Sequence, residues 1–191
     1  MSTKTADADN TFLTDIQTLR ERARKSLGEG AITPAYKGDV KKAIDLLQTV
    51  VATEIVCTLR YQMNAIAASG INSESIAAEF SKHAQEEQTH MLWAAERIDQ
   101  LGGVPDMNPE GLASRSAAEY GKAGPLVDMI KQNLVAERIA VEHYRELIRY
   151  FSDKDPTTRI MLERILAQEE EHATDMHDFL EAHQGRPFLK D

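Results

Sequence analysis

Apolar residues recur at helical spacing through four long stretches of the chain, each closed by breakers. From Asp39, a capping-type residue, the pattern runs to Ala68; SGINS (69–73) then forms a tight turn, and Ser73 is placed to cap a second helix that continues to about Leu101. LGGVP (101–105) ends it with glycines followed by proline. Residues 102–124 are polar and rich in breakers, which predicts a long connection. Pro125 opens a third helix reaching about Tyr150, and FSDKDP (151–156) is a turn with Asp155 as cap and Pro156 at the first helical position. The fourth helix runs to roughly His183. Ahead of these, residues 12–27 place Phe12, Leu13, Ile16, Leu19 and Ala23 at the spacing of a short amphipathic helix, and GEGAITPAYKG (28–38) is a linker. The pattern predicts an all-α fold: a four-helix bundle with a long crossover between its second and third helices, plus a short N-terminal helix. The expected organisation is an N-terminal extension over 1–37, the bundle over 38–184 and a tail over 185–191.

Composition narrows the function classes. The 191 residues suit one domain with a sizeable core plus an extension. A net charge of −9 disfavours general nucleic-acid binding and suits a protein that attracts cations. One cysteine, Cys57, excludes an intramolecular disulfide, and no apolar run approaches membrane-spanning length. With no signal-peptide pattern at the N-terminus, the expected location is the cytoplasm.

The chemistry lies in a repeat. EEQTH (86–90) and EEEH (169–172) each place a glutamate three positions before a histidine: Glu87 with His90, and Glu169 with His172. Glu87 follows Glu54 by 33 positions, and Glu169 follows Glu137 by 32. Each predicted hairpin thus carries one glutamate on its first helix and a Glu-x-x-His on its second. Side chains three apart share a helix face. The midpoint between Glu54 and the 87–90 pair falls in SGINS, and that between Glu137 and the 169–172 pair falls in FSDKDP. Both sets therefore stand level across their own antiparallel hairpin, roughly 25 Å from the turn at about 1.5 Å per residue. A crossover of 23 residues can span the bundle and relate the hairpins by an approximate dyad. Four carboxylates and two imidazoles then meet in one cluster, and two divalent cations relieve the repulsion that burial would impose. Oxygen-rich ligation with one imidazole per ion suits iron or manganese.

The segments ATEIVCTLRYQMNA (52–65), KHAQEEQTHMLWAAERIDQLGGVP (82–105), NLVAERIAVEHYREL (133–147) and ILAQEEEHATDMHDFL (165–180) resemble the ferritin-like di-iron carboxylate superfamily. They are most similar to bacterioferritins and to the bacterioferritin-like members of the DNA-protecting mini-ferritin group. The resemblance implies two irons per subunit at an intrasubunit ferroxidase centre, with Glu54 and Glu137 as terminal carboxylates, Glu87 and Glu169 bridging, and His90 and His172 each ligating one metal. It also matches Tyr61 to a tyrosine near the site, which hydrogen-bonds a ligand or donates an electron; a core aromatic is the alternative. The implied activity is oxidation of Fe²⁺ by O₂ or H₂O₂ for iron storage or detoxification in a hollow homo-oligomer. The alternatives are a di-iron or di-manganese peroxidase or catalase, and a DNA-protecting shell.

Three departures shape the expectation further. Gln88 stands where bacterioferritins carry a haem-ligating methionine, so no haem is expected. A tail of 19 residues after His172, with Pro187 in it, favours a twelve-subunit shell over one of 24. The third departure is the N-terminal extension, whose RERARK (20–25) is locally basic. Contact with DNA is one reading of it, but packing on a neighbouring subunit fits it better, since its arginines alternate with apolar residues and Glu21 dilutes the charge. Trp93 reads more readily as a core or interface residue than as an electron carrier, and Cys57 as a buried small hydrophobe. His83, His143, His177 and His183 have no partner at the predicted height; the solvent surface is the default expectation, and an entry path or an inner surface is the alternative for some of them.

Overall fold

A computed structural model of the chain describes residues 13–28, 30–70 and 73–183, so Phe12, the centre of the SGINS turn and the tail containing Pro187 lie outside the described residues. Six helices follow in order: α1 (Ile16–Lys25), α2 (Val40–Ala67), α3 (Ser73–Gln100), α4 (Leu112–Arg115), α5 (Leu126–Phe151) and α6 (Pro156–His183). The described residues contain no strand.

The chain divides into two compact units, one up to Tyr36 and one from Lys37. In the first, Asp15 caps α1 by accepting from the N–H groups of Gln17 (2.9 Å) and Thr18 (3.3 Å). That cap starts the helix later than the apolar pattern alone predicts, leaving Leu13 outside it. Arg22, Arg24 and Lys25 complement the dipole in its last turn. None of its residues is buried.

In the second unit α2 packs along α3 and α5 along α6, giving two helical hairpins, with α2–α5 and α3–α6 contacts joining them. Asp39 caps α2 through the N–H of Lys42 (3.0 Å). Ser73 is the first residue of α3 rather than its flanking cap, and Pro125 flanks α5 instead of opening it. The bundle is apolar on either side of a polar middle. Tyr61, Ile76, Phe80, Met129, Ile130 and Met176 cluster toward one end. Leu47, Val50, Ile98, Phe151 and Leu162 are buried toward the other.

The crossover is tied down along α2. Gln48 donates to the carbonyl of Val104 (2.8 Å) and accepts from the N–H of Asp106 (2.9 Å). Thr53 accepts from Ala117 N–H (2.9 Å), and Arg60 donates to the Glu119 carbonyl (3.0 Å). The one-turn helix α4 is too short to leave a periodic signal, so sequence reasoning misses it.

Asp155 holds the start of α6. Its carboxylate accepts from Thr158 N–H (2.9 Å) and takes both oxygens to one guanidinium nitrogen of Arg97 on α3 (3.0 and 3.1 Å). Arg97 also donates to Thr158 Oγ1 (2.8 Å). An Asp155→Ala substitution strips a buried cation of its partner together with a helix cap, and is expected to cost about 3–5 kcal/mol. A matching fall in the urea midpoint at unchanged slope is the measurement.

Candidate metal centre

The six side chains selected by the repeat converge from four helices: Glu54 from α2, Glu87 and His90 from α3, Glu137 from α5, and Glu169 and His172 from α6. Each is at most 1% exposed. Their donor atoms form two groups. Glu54, Glu87, His90 and Glu169 offer atoms all within 4.8 Å of one another, and so do Glu87, Glu137, Glu169 and His172. Glu87 and Glu169 belong to both groups, so the arrangement is two adjoining four-residue pockets with a shared wall.

The histidines are oriented alike. His90 Nδ1 lies 3.0 Å from Glu169, 3.3 Å from Glu87 and 3.5 Å from Glu54. His172 Nδ1 lies 3.6 Å from Glu87 and 3.7 Å from Glu169. The opposite nitrogens face outward, His90 Nε2 to Gln168 Oε1 (2.9 Å) and His172 Nε2 to Glu86 Oε2 (2.9 Å). An Nε2–H donated to these oxygens turns the Nδ1 lone pair toward the carboxylates, the tautomer a metal ligand needs.

Two tyrosines bridge the hairpins. Tyr61 on α2 donates to Glu137 on α5, and Tyr144 on α5 donates to Glu54 on α2. Sequence reasoning places Tyr61 at the site but misses Tyr144. The signal was present, because each tyrosine follows its own helix's glutamate by seven positions. Arg60 was missed too. It is 1% exposed, donates to Asn133 Oδ1 (2.8 Å), and sits 3.8 Å from Glu137.

The remaining candidates sort by burial. His83 is a correction: expected at the surface, it is fully buried, with its ring stacked on His172 at 3.9 Å and its Nε2 3.2 Å from Asp175. The packing of α3 on α6 encloses it, and a single-helix pattern does not report which groove a polar residue occupies. His143 is half-buried, while His177 and His183 are exposed. Burial pushes the Cys57 thiol pKa well up, as befits an inert small residue. Trp93 is half-buried with its ring 5.6 Å from that of His90 and the Arg164 guanidinium over its face.

The donor set fits divalent cations. Glu54 Oε2, Glu87 Oε1, Glu137 Oε2, both oxygens of Glu169 and His172 Nδ1 are buried without a hydrogen-bond partner. Orphaned buried oxygens of this kind are costly unless a cation supplies the missing partner. Protonation reflects the same stress. Burial, then the neighbouring Glu87 and Glu169, raises Glu54 and Glu137 well above the carboxylate range. Glu87 is held well below that range, because the adjacent imidazoles of His172 and His90 outweigh its burial. Burial favours neutral imidazoles, but Glu169, Glu54 and Glu87 overcome it at His90, and Glu169 and Glu87 push His172 up to about 12. Protons thus hold the places that cations would take.

Residues 44–184 match the ferritin-like domain family. The chain belongs to that family. A ferritin-like relative of known structure, the dodecameric thioferritin described as the bacterioferritin-related protein of Bacteroides fragilis, superposes with a TM-score of 0.75 at 34% identity, covering 81% of this chain and 94% of that one. The Dps protein of Thermosynechococcus elongatus shares the fold with a TM-score of 0.70 at 16% identity, over 73% of this chain and 90% of that one. By sequence, the DNA protection during starvation protein of Pyrococcus furiosus is 32% identical over 137 residues, 70% of this chain and 74% of the relative. A 3-demethoxyubiquinol 3-hydroxylase of Legionella pneumophila is 30% identical over 167 residues, 85% of this chain and 75% of the relative. Bacterioferritin-related and Dps proteins are therefore kin of this ferritin-like chain.

The cross-hairpin tyrosines carry a graded expectation. Tyr61→Phe and Tyr144→Phe leave Glu137 and Glu54, respectively, one hydrogen bond short, and each is expected to weaken cation binding roughly 10- to 100-fold, the scale of outer-shell partners. Anaerobic titration of each variant with Mn²⁺, followed calorimetrically, checks this.

Proposed function

We propose that the centre binds two Fe²⁺ ions per subunit as substrate and delivers their electrons together to H₂O₂ or O₂, yielding Fe³⁺ for storage or detoxification. The observation that carries this reading is the pair of buried four-residue pockets sharing Glu87 and Glu169, in which each glutamate keeps at least one oxygen without a hydrogen-bond partner. Four carboxylates balance two dications, and the ligand types suit iron, with manganese the nearest competitor. Two Fe²⁺ supply the two electrons that convert H₂O₂ and two protons into two waters, or O₂ and two protons into H₂O₂. The protein's part is to hold both ions side by side and to keep bulk water away from them. Glu54 and Glu137 serve as terminal ligands in this reading and Tyr61 and Tyr144 steady them. A homo-oligomeric shell is the expected assembly, twelve subunits being favoured by the dodecameric Bacteroides relative.

Anaerobic Fe²⁺ titration tests the centre: two equivalents per subunit are expected, and far fewer would sink the reading. Light scattering tests the shell, since a monomer in solution is incompatible with a storage cage.

The similarity to a 3-demethoxyubiquinol 3-hydroxylase favours a second reading, in which the same pair of ions oxidises an organic substrate. Accumulation of ferric product from Fe²⁺ and oxidant alone supports storage, whereas turnover that waits on an added quinol supports hydroxylation. Peroxide consumption with no ferric product would instead point to a di-iron or di-manganese peroxidase or catalase. Shielding of DNA, which the name of the Pyrococcus relative evokes, would have to act through the basic α1 against a net charge of −9. A gel shift at physiological salt decides it.

A further inference from the structure

The dyad that relates the two hairpins is broken on one side of the centre. Positions in the second hairpin correspond to those in the first by the offset that superposes Glu87 on Glu169 and His90 on His172. By that offset Glu86 corresponds to Gln168, and both do the same work, each accepting from the outward nitrogen of the histidine across the groove (2.9 Å in both). Farther out the correspondence fails. Glu79, His83 and Asp175 lie beside the His172 pocket, and their counterparts beside the His90 pocket are Met161, Ile165 and Trp93. One end of the α3–α6 groove is built of cation-ligating side chains and the other of apolar ones.

We propose that Glu79, His83 and Asp175 form a third divalent-cation site, which stages Fe²⁺ for the pocket of Glu137 and His172. This rests on the reading that the centre itself takes cations. One donor atom from each of the three residues lies within 4.8 Å of the others. His83 Nε2 is 3.2 Å from Asp175 and 3.4 Å from Glu79. The imidazole is fully buried, yet its Nδ1 has no hydrogen-bond partner, and Ile165 at the related position shows that an aliphatic side chain suffices for packing there. Glu79 and Asp175 are partly exposed, so the cluster reaches solvent on one side. On its other side it adjoins the centre. The rings of His83 and His172 stack at 3.9 Å, and His83, Glu86 and His172 also offer atoms within 4.8 Å of one another. Lys82 Nζ, 2.8 Å from Glu79, is the resident counter-charge and is exposed enough to swing away when a dication arrives. Two carboxylates and one imidazole are the same donor types, in nearly the same ratio, as each pocket of the centre. A cation can therefore pass inward without meeting a foreign ligand field.

The test is titration of the full-length protein with Co²⁺, followed by visible absorption and calorimetry. Three equivalents per subunit are expected for the wild type. Two are expected for the Glu79→Gln/Asp175→Asn double variant, whose changes are partly exposed and leave the core intact. Two are also expected for His83→Ile, which copies the related position. Two equivalents in the wild type, or three retained in the double variant, overturn the third site and leave the centre standing. A wild type that binds no Co²⁺ overturns both.

Discussion

Glu87→Gln is expected to abolish rapid oxidation of Fe²⁺ and to cut cation affinity by roughly 10²- to 10⁴-fold. Glu87 belongs to both donor groups, with one oxygen 3.3 Å from His90 and the other 3.6 Å from His172. The amide keeps the shape but removes a negative charge from a buried site. Losing one partner of a buried charged set costs about 3–5 kcal/mol, and each 1.4 kcal/mol is a factor of ten in affinity. Because the wall is shared, both ions are weakened, not one. Glu54→Gln, confined to a single pocket, is expected to spare the other. Glu171→Gln, an exposed neighbour on α6, serves as the control and is expected to leave affinity and rate unchanged. The measurements are anaerobic isotherms and the initial rate of ferric absorbance. Near-wild-type values for Glu87→Gln would refute the shared-wall geometry as the seat of the chemistry.

Cations are expected to stabilise the protein strongly, and more so as pH rises. At about 100 times Kd each site contributes about 2.7 kcal/mol, so two sites raise Tm by roughly 10–20 °C in a chain of this size. Chelation with EDTA is expected to reverse the gain. The pH dependence follows from the direction of the shifts. Glu54, Glu137, His90 and His172 all hold protons more tightly folded than unfolded. Their stabilisation of the metal-free protein is complete below the unfolded values, about 4.3 for Glu and 6.5 for His, and drains away as pH rises through the folded ones. Glu87 runs the opposite way: its contribution is present above about 4.3 and is lost as pH falls through its depressed value. Binding two dications expels the protons held by the first four groups, so each cation competes with them. The Tm gain on adding Mn²⁺ at pH 8 is expected to exceed that at pH 5.5 by a wide margin, with net proton release seen as buffer-dependent binding enthalpy. A gain independent of pH would mean that cations bind elsewhere.

The four long helices and the level of the six polar residues were legible in the chain, because both depend on short-range periodicity. Apolar spacing set each helix, Asp39 and Pro156 marked starts, and the midpoint of each Glu set fell in its own turn. Tyr144 was legible in principle, since it repeats the interval that separates Tyr61 from Glu54. Other features arise only when segments distant in sequence meet. Arg60 lies mid-helix with nothing local to mark it; the crossover carbonyl of Glu119 and Asn133 on α5 enclose it. His83 became a buried residue because α6 brings Asp175 and His172 against it, and α4 exists because the crossover is fastened to α2. Helical period and antiparallel register follow from the order of residues along one or two neighbouring rods. Which polar groups lose their water is decided by the packing of all four, and that enclosure turns six helical side chains into a pair of adjoining cation pockets.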